Sequence, residues 1–180
     1  MAVDIFLHLD KIKGESVDDK YAGEIDVLQW SWGMSQSGTP HLGPGGGAGK
    51  VNVRDLTLTK YVDMATHDLL NHCASGMHIA DGFIVVRKAG NVPLDYFRVD
   101  MKEIMISSYE TGGSGDGMDR IMETVTLNFA WYKATYASQK ADGSKGPEGK
   151  AGFDIAKSFA NLSWNMMPVP SAPPRWRLAA

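Results

Sequence analysis

A glycine-dense run from Gly43 to Gly49 leads into Lys50. Such a loop before a lysine can cradle phosphate with its backbone N–H groups. The phosphate loop also needs glycine at the position held here by Pro44, and Ser or Thr at the position held by Val51. No helix pattern follows to aim its N-terminus at an anion. The five histidines are His8, His41, His67, His72 and His78. His67 and His72 are five apart, so on a helix they face different ways, unlike an i, i+4 metal pair. Ser, His and Asp occur without a G-x-S-x-G elbow, since Gly112-Gly113-Ser114-Gly115 reads as a hairpin tip. Cys73, the only cysteine, falls on an apolar helical stripe and reads as a core residue. Asp100 and Glu103 lie on a strand whose facing changes between them, so they make no acid–base pair. The expectation is a protein without catalytic residues, cofactor or metal.

The elements that would carry these residues are mostly strands. Val3, Ile5, Leu7 and Leu9 alternate with polar neighbours, Phe6 excepted, and Asp10 to Gly23 reads as a polar surface loop. Glu24 to Met34 reads as one strand, with Asp26, Leu28, Trp30, Trp32 and Met34 on one face and Ile25, Val27, Gln29, Ser31 and Gly33 on the other. Ser35 to Lys50 lacks apolar periodicity and reads as a long mobile loop. Val51 to Tyr61 is a strand whose apolar parity switches, which predicts a bend near Arg54-Asp55.

Thr66 to Ser75 is the helix candidate, with Thr66 as N-cap, Gly76 as terminator and Leu69, Leu70, Cys73 and Met77 as its apolar stripe. Ile79 to Lys88 is a strand, apolar on both faces at Phe83 to Val86, so both sides must be covered. Tyr96 to Ser108 is a long strand with a bulge expected near Lys102-Glu103. After a loop at Thr111 to Gly117, Arg120 to Tyr136 is a second long strand. Ile121, Val125, Leu127, Phe129 and Trp131 face inward, and Thr124, Thr126 and Asn128 outward. Lys140 to Lys150 reads as a loop and Gly152 to Ala160 as a short last strand. Long strands, bulges and one helix predict a mainly β fold, a compact antiparallel barrel or sandwich.

The domain division expected is 1–160 for the barrel and 161–180 for a tail, where Pro168, Pro170, Pro173 and Pro174 exclude a central strand and Trp164 and Trp176 favour docking on a surface. Hydrophobic residues make up 43% of the 180 and charged ones 22%, enough apolar material for a core. A net charge of −3 argues against nucleic acid as partner. A single cysteine fits a reducing compartment, and neither a signal peptide nor a membrane span is expected.

Ordered stretches go further than these patterns: Met1 to Phe6, Gly14 to Ser16, Glu24 to Gly38, Gly45 to Val53, Thr59 to Tyr61, Arg87 to Gly90, Thr111 to Gly115 and Val125 to Ala130. Together, over about Met1 to Phe153, the chain closely resembles the haemolysin-coregulated protein (Hcp) family, the tube subunits of bacterial type VI secretion. The resemblance implies a β-barrel with one helix and an extended loop, like that of phage tail-tube proteins. It implies a homohexameric ring, stacked into a tube within a contractile sheath and capped by a spike tip protein. Effector proteins would be carried in the lumen, and the subunit would pass from the bacterial cytoplasm to the outside or into a target cell, with no nucleic acid and no membrane insertion. It places Leu28, Trp30, Trp32, Val125, Leu127 and Phe129 in the barrel core and Gln29 and Ser31 toward the lumen. Ser37, Gly38, His41, Leu42, Gly45, Gly46, Gly47 and Lys50 would form a loop between subunits or rings. The family pattern stops near Ala160. An alternative is therefore the same tube subunit with its tail adapted for effector docking or regulation, and a distant one is a nucleotide-binding enzyme.

Overall fold

Period-two alternation sets the architecture. Leu56 and Leu58 are buried while Thr57 and Thr59 between them reach the other face, and Val125 and Leu127 repeat the pattern against Thr124 and Thr126. The structure, a computed structural model, describes residues 3–38, 48–90, 93–115 and 120–160. Its elements are β1 (Val3–Leu9), β2 (Ile25–Asp26), β3 (Gln29–Ser31), β4 (Met34–Gly38), β5 (Ala48–Val53), β6 (Leu56–Tyr61), α1 (Thr66–Ser75), β7 (Ile79–Lys88), β8 (Leu94–Gly112), β9 (Met122–Gln139), β10 (Lys145–Asp154) and β11 (Phe159–Ala160).

All the pairings are antiparallel. The long strands β8 and β9 form the spine, with Ile106 opposite Leu127 and Phe97 opposite Tyr136. On its other edge β9 is shared: Met122 to Leu127 pair with β6, and Trp131 to Gln139 pair with β10. Beyond β8 come β7, β1 and β2, while β6 pairs with β3. Because β2 and β3 belong to one short run of chain, the sheet curls back on itself there. The Val27 N–H donates to Ile5 O on β1 (2.9 Å), and the next N–H, of Leu28, donates to Thr59 O on β6 (2.9 Å).

This passage from one partner to the other corrects the expectation of a single strand over 24–34. Ile25 (0% exposed) and Val27 (7%) face the core, and so do Trp30 and Trp32, which pack against it while half-buried. The facing changes between Val27 and Trp30, and Leu28, expected in the core, is 45% exposed at the bend. Trp30 stacks on Phe97 and Trp32 packs edge-on against Tyr132. Val125, Leu127 and Phe129 are buried as expected, whereas Ile121 is exposed and Trp131 lies off the core beside the Lys102 ammonium.

The run 35–50 is not simply a loop: β4 and β5 pair as a separate two-stranded sheet. The bend at Arg54-Asp55 is present and divides β5 from β6. At the other expected bulge Glu103 has φ 51, and burial changes parity there, from Val99 and Met101 to Ile104 and Ile106. The helix spans the expected residues and ends at Gly76 with φ 65. Its N-cap is Ala65, not Thr66. Asp63 supplies the acceptor, taking the Ala65 N–H at 2.9 Å. Leu69 is buried and Cys73 packs on the core, but Leu70 and Met77 are exposed.

The loop 10–23 does more than lie on the surface. It brings Tyr21 over Phe6, Phe83 and Val85, covering the outer side of β7. Lys140 to Ser144 is a turn, and the chain from Lys145 onward is β10 rather than loop, with β11 following a further turn. The 161–180 tail lies outside the described residues.

Lys60 and Glu123, paired across β6 and β9, are both buried. The Lys60 Nζ lies 2.6 Å from Glu123 Oε1 and 2.6 Å from Asp63 Oδ1, and also donates to Tyr61 O. Glu123 accepts from Thr66 Oγ1 at 3.1 Å and from the Tyr109 hydroxyl at 2.6 Å. Burial, then Glu123 itself, pushes the Tyr109 hydroxyl up to about 12, so it stays a donor. Buried charges persist only when paired and hydrogen-bonded this fully. The network ties the start of α1 to the barrel wall.

Candidate assembly surfaces

Because Leu56, Leu58, Val125 and Leu127 point inward, the alternate residues of the same strands point out. They line up across four strands. Gln29 stands opposite Thr59, which is opposite Thr124, which is opposite Glu110. Ser31 stands opposite Thr57, then Thr126, then Ser108. Gln29 and Ser31 are both exposed. The Thr57 and Thr126 hydroxyls are 3.3 Å apart. One step along, Asp55 accepts from Ser107 Oγ (2.6 Å) and Asn128 Nδ2 (2.8 Å). The result is a wall that is apolar on one side and covered with hydroxyl and amide groups on the other. Such a face exchanges hydrogen bonds with water or with polypeptide and has little apolar surface to aggregate through.

The hairpin β4–β5 leaves this wall at Gly33, whose carbonyl accepts the Arg54 N–H at 2.9 Å. Met34 pairs with Val53, Ser35 with Asn52 and Gln36 with Val51. An isolated two-stranded ribbon is marginal in water and has open backbone edges, so it is suited to lie against another surface. Of the residues expected in the assembly loop, Ser37 and Lys50 are exposed on this ribbon and Gly38 is its last paired residue on β4. His41, Leu42, Gly45, Gly46 and Gly47 lie outside the described residues. Val51-Asn-Val53 alternates and is the one sequence signal for the ribbon, whereas Ser35-Gln-Ser37 is polar throughout and gives none.

On the far side of the molecule Arg87 bonds both oxygens of Asp18, with Nη1 to Oδ1 at 2.9 Å, and lies over the Phe6 ring. The Arg87 guanidinium holds the Asp18 carboxyl down at about 2, helped by the N–H groups of Lys20 and Tyr21. The Tyr21 hydroxyl donates to Asp95 at 2.7 Å, and burial together with that carboxylate raises its pKa. These contacts pin the 10–23 loop.

Among the described residues the possible catalytic groups are not brought together. His8 bonds Glu24 at 2.9 Å, His72 bonds the Asp68 carbonyl, and Cys73 is half-buried. Asp100 is held by Arg98 and Lys133, while Glu103 is exposed near His78. Among the described residues no cluster of three or more His, Cys, Asp or Glu could hold a metal, and no helix is long and apolar enough to cross a membrane.

Comparison with known proteins gives the family. A family model described as "Type VI secretion system effector, Hcp" matches residues 6–136. Protein hcp1 of Pseudomonas aeruginosa is 52% identical over 160 residues, covering 88% of this chain and 98% of that protein. The crystal structure of Hcp1 from Salmonella typhimurium superposes with a TM-score of 0.74 at 38% identity, covering 89% of this chain and 99% of that one. Another structure, of a type six secretion system protein, gives 0.84 at 27% identity over 88% of this chain and 99% of that one. A curled antiparallel sheet with one helix, a detached hairpin and a sequence matched along most of its length thus identify the chain as a member of the Hcp family of type VI secretion proteins.

Proposed function

We propose that this chain is the non-enzymatic subunit of a type VI secretion inner tube. Six copies close into a ring, and rings stack into a tube inside a contractile sheath and beneath a spike tip protein. Contraction expels the tube, carrying effector proteins in its lumen out of the bacterial cytoplasm. The observation that carries this reading is the two-sided wall of β3, β6, β9 and β8, with its hydroxyl-lined face uncovered. On this reading Gln29 and Ser31 face the lumen. The β4–β5 ribbon, with Ser37, Gly38 and Lys50 and the adjoining His41, Leu42, Gly45, Gly46 and Gly47, contacts the neighbouring subunit or ring.

Native mass spectrometry and electron microscopy test the ring. The expected species has about six times the 19.6 kDa chain mass and an annular outline. A strict monomer at the highest attainable concentration would overturn the proposal. For the lumen assignment, Ser31→Gln is expected to leave the ring intact and reduce co-purification of effectors. An intact ring with unchanged effector retention would remove Ser31 from the lumen.

A second reading gives the 161–180 segment a docking or regulatory role beyond the 1–160 barrel. It is favoured by the Pseudomonas relative, matched over nearly its whole length by only 88% of this chain. Deleting 161–180 is expected to alter secretion or effector binding while the ring persists, and unchanged behaviour rejects this second reading.

A further inference from the structure

At the edge of the hydroxyl-lined face, where β3 runs into the hairpin and the hairpin returns to β6, there is a pocket of about 200 Å³ lined by Ser31, Trp32, Gly33, Arg54, Asp55 and Thr57. We infer that this pocket binds the side-chain carboxylate of an acidic residue on a polypeptide lying along that face. The inference rests on the reading of the face as the cargo wall and names the chemistry it would select.

Three features carry it. First, Arg54 has no side-chain hydrogen bond or ion pair among the described residues, although Asp55 is its neighbour in sequence and in the pocket. Asp55 is engaged elsewhere, each of its oxygens accepting one donor, from Ser107 and from Asn128. A guanidinium offers five N–H donors in a planar fork that matches a carboxylate, and here the fork is unfilled.

Second, the fork lies against Gly33. The Arg54 N–H is bound to the Gly33 carbonyl, and the side chain folds back so that a Cβ at residue 33 would lie 2.6 Å from Nη2. Any side chain at 33 would push the guanidinium out of its seat. Third, Ser31 and Thr57 also line the pocket and carry hydroxyls that can donate or accept, the Thr57 hydroxyl lying 3.3 Å from that of Thr126. The Trp32 side chain also lines it, and its indole N–H is buried without a partner. The unfilled Arg54 fork and the unpartnered Trp32 N–H are donors without acceptors, which suits an anion. The Asp55 carboxylate alongside disfavours a doubly charged group such as a phosphate monoester and leaves a single negative charge as the better fit. The volume admits a carboxylate with its methylene and still holds water, at roughly 30 Å³ per water.

The test uses the full chain and two short peptides carrying a neutral dye, Ser-Glu-Gly-Glu-Ser and its counterpart with Gln in place of Glu, followed by fluorescence anisotropy. The chain is net negative, so general attraction does not favour the acidic peptide. The Glu peptide is expected to bind about tenfold more tightly than the Gln peptide, the scale of a charge-assisted hydrogen-bonded pair. Arg54→Gln should bring the two within twofold. Arg54→Lys, which keeps the charge and loses the fork, should fall between. Lys11→Gln, at an exposed cation elsewhere, should leave the ratio unchanged. Arg54 is exposed, so these variants are expected to fold, and circular dichroism checks that they do. Equal binding of both peptides, or an Arg54→Gln variant that keeps the preference, overturns the proposal. The assay contains no effector and no sheath, so it stands or falls apart from the transport reading.

Discussion

At the scale of single residues, the Asp18–Arg87 contact ties part of the acid stability to the 10–23 loop. Asp18 titrates at about 2 in the folded chain against an ordinary 3.8. Between those values the unfolded chain binds the extra proton, so the stabilisation is complete above about pH 4 and is lost as pH falls toward 2. Denaturant melts of the native chain and of Asp18→Asn across that window are expected to show a shallower loss in the variant, and parallel curves would refute the assignment. Not all residue roles were legible beforehand. Val125, Leu127 and Phe129 follow from alternation alone, because β9 runs straight through that stretch. Leu28 did not, because the facing changes at a bend imposed by the move from β1 to β6, and no local residue type announces it. Arg54 was invisible as a ligand group, since its availability depends on Asp55 being occupied by residues more than fifty positions away.

At the scale of elements, β1 and β7 approach each other closely at Gly82. Gly82 pairs with Leu9, and a Cβ there would lie 2.6 Å from the His8 carbonyl and 2.9 Å from both Leu9 Cδ2 and Ile104 Cδ1. Gly82→Ala is therefore expected to cost about 1–3 kcal/mol through overpacking. Thermal melts measure this, and a melting temperature equal to that of the parent chain would mean the strands part without cost. The end of the helix and the bounds of strand β7 are legible in the sequence, since Gly76 and the turn residues after Lys88 punctuate them plainly. Val51 to Val53 and Gly152 to Asp154 read as strand in the sequence, while the parts of β4, β5 and β10 that fall in Ser35 to Lys50 and Lys140 to Lys150 read as loop. Their glycine and lysine content resembles loop composition, and their pairing comes from neighbours rather than from an apolar face.

At the scale of the whole molecule, assembly and stability are linked. If copies associate only when folded, the ring stabilises the native state by mass action. The melting temperature is then expected to rise across a hundredfold increase in protein concentration, and a constant value would speak against association under those conditions. The family was legible from ordered stretches spread over most of the chain, and the mainly β class from alternation. A barrel or sandwich is the expectation, but alternation does not say which strand edges meet to curl the sheet.

That closure has a dynamic consequence. The run that joins the two ends of the sheet is held by two residue pairs on its β1 side and three on its β6 side, whereas β1 and β7 share seven. Regions held by few backbone bonds open locally at less than the global unfolding free energy. Ile25 to Ser31 is therefore expected to open before the rest, with hydrogen exchange there faster than in the β8–β9 spine, and equal rates would refute this. The wall that carries Gln29 and Ser31 is thus also the clasp of the fold, and whatever rests against it helps keep the clasp shut.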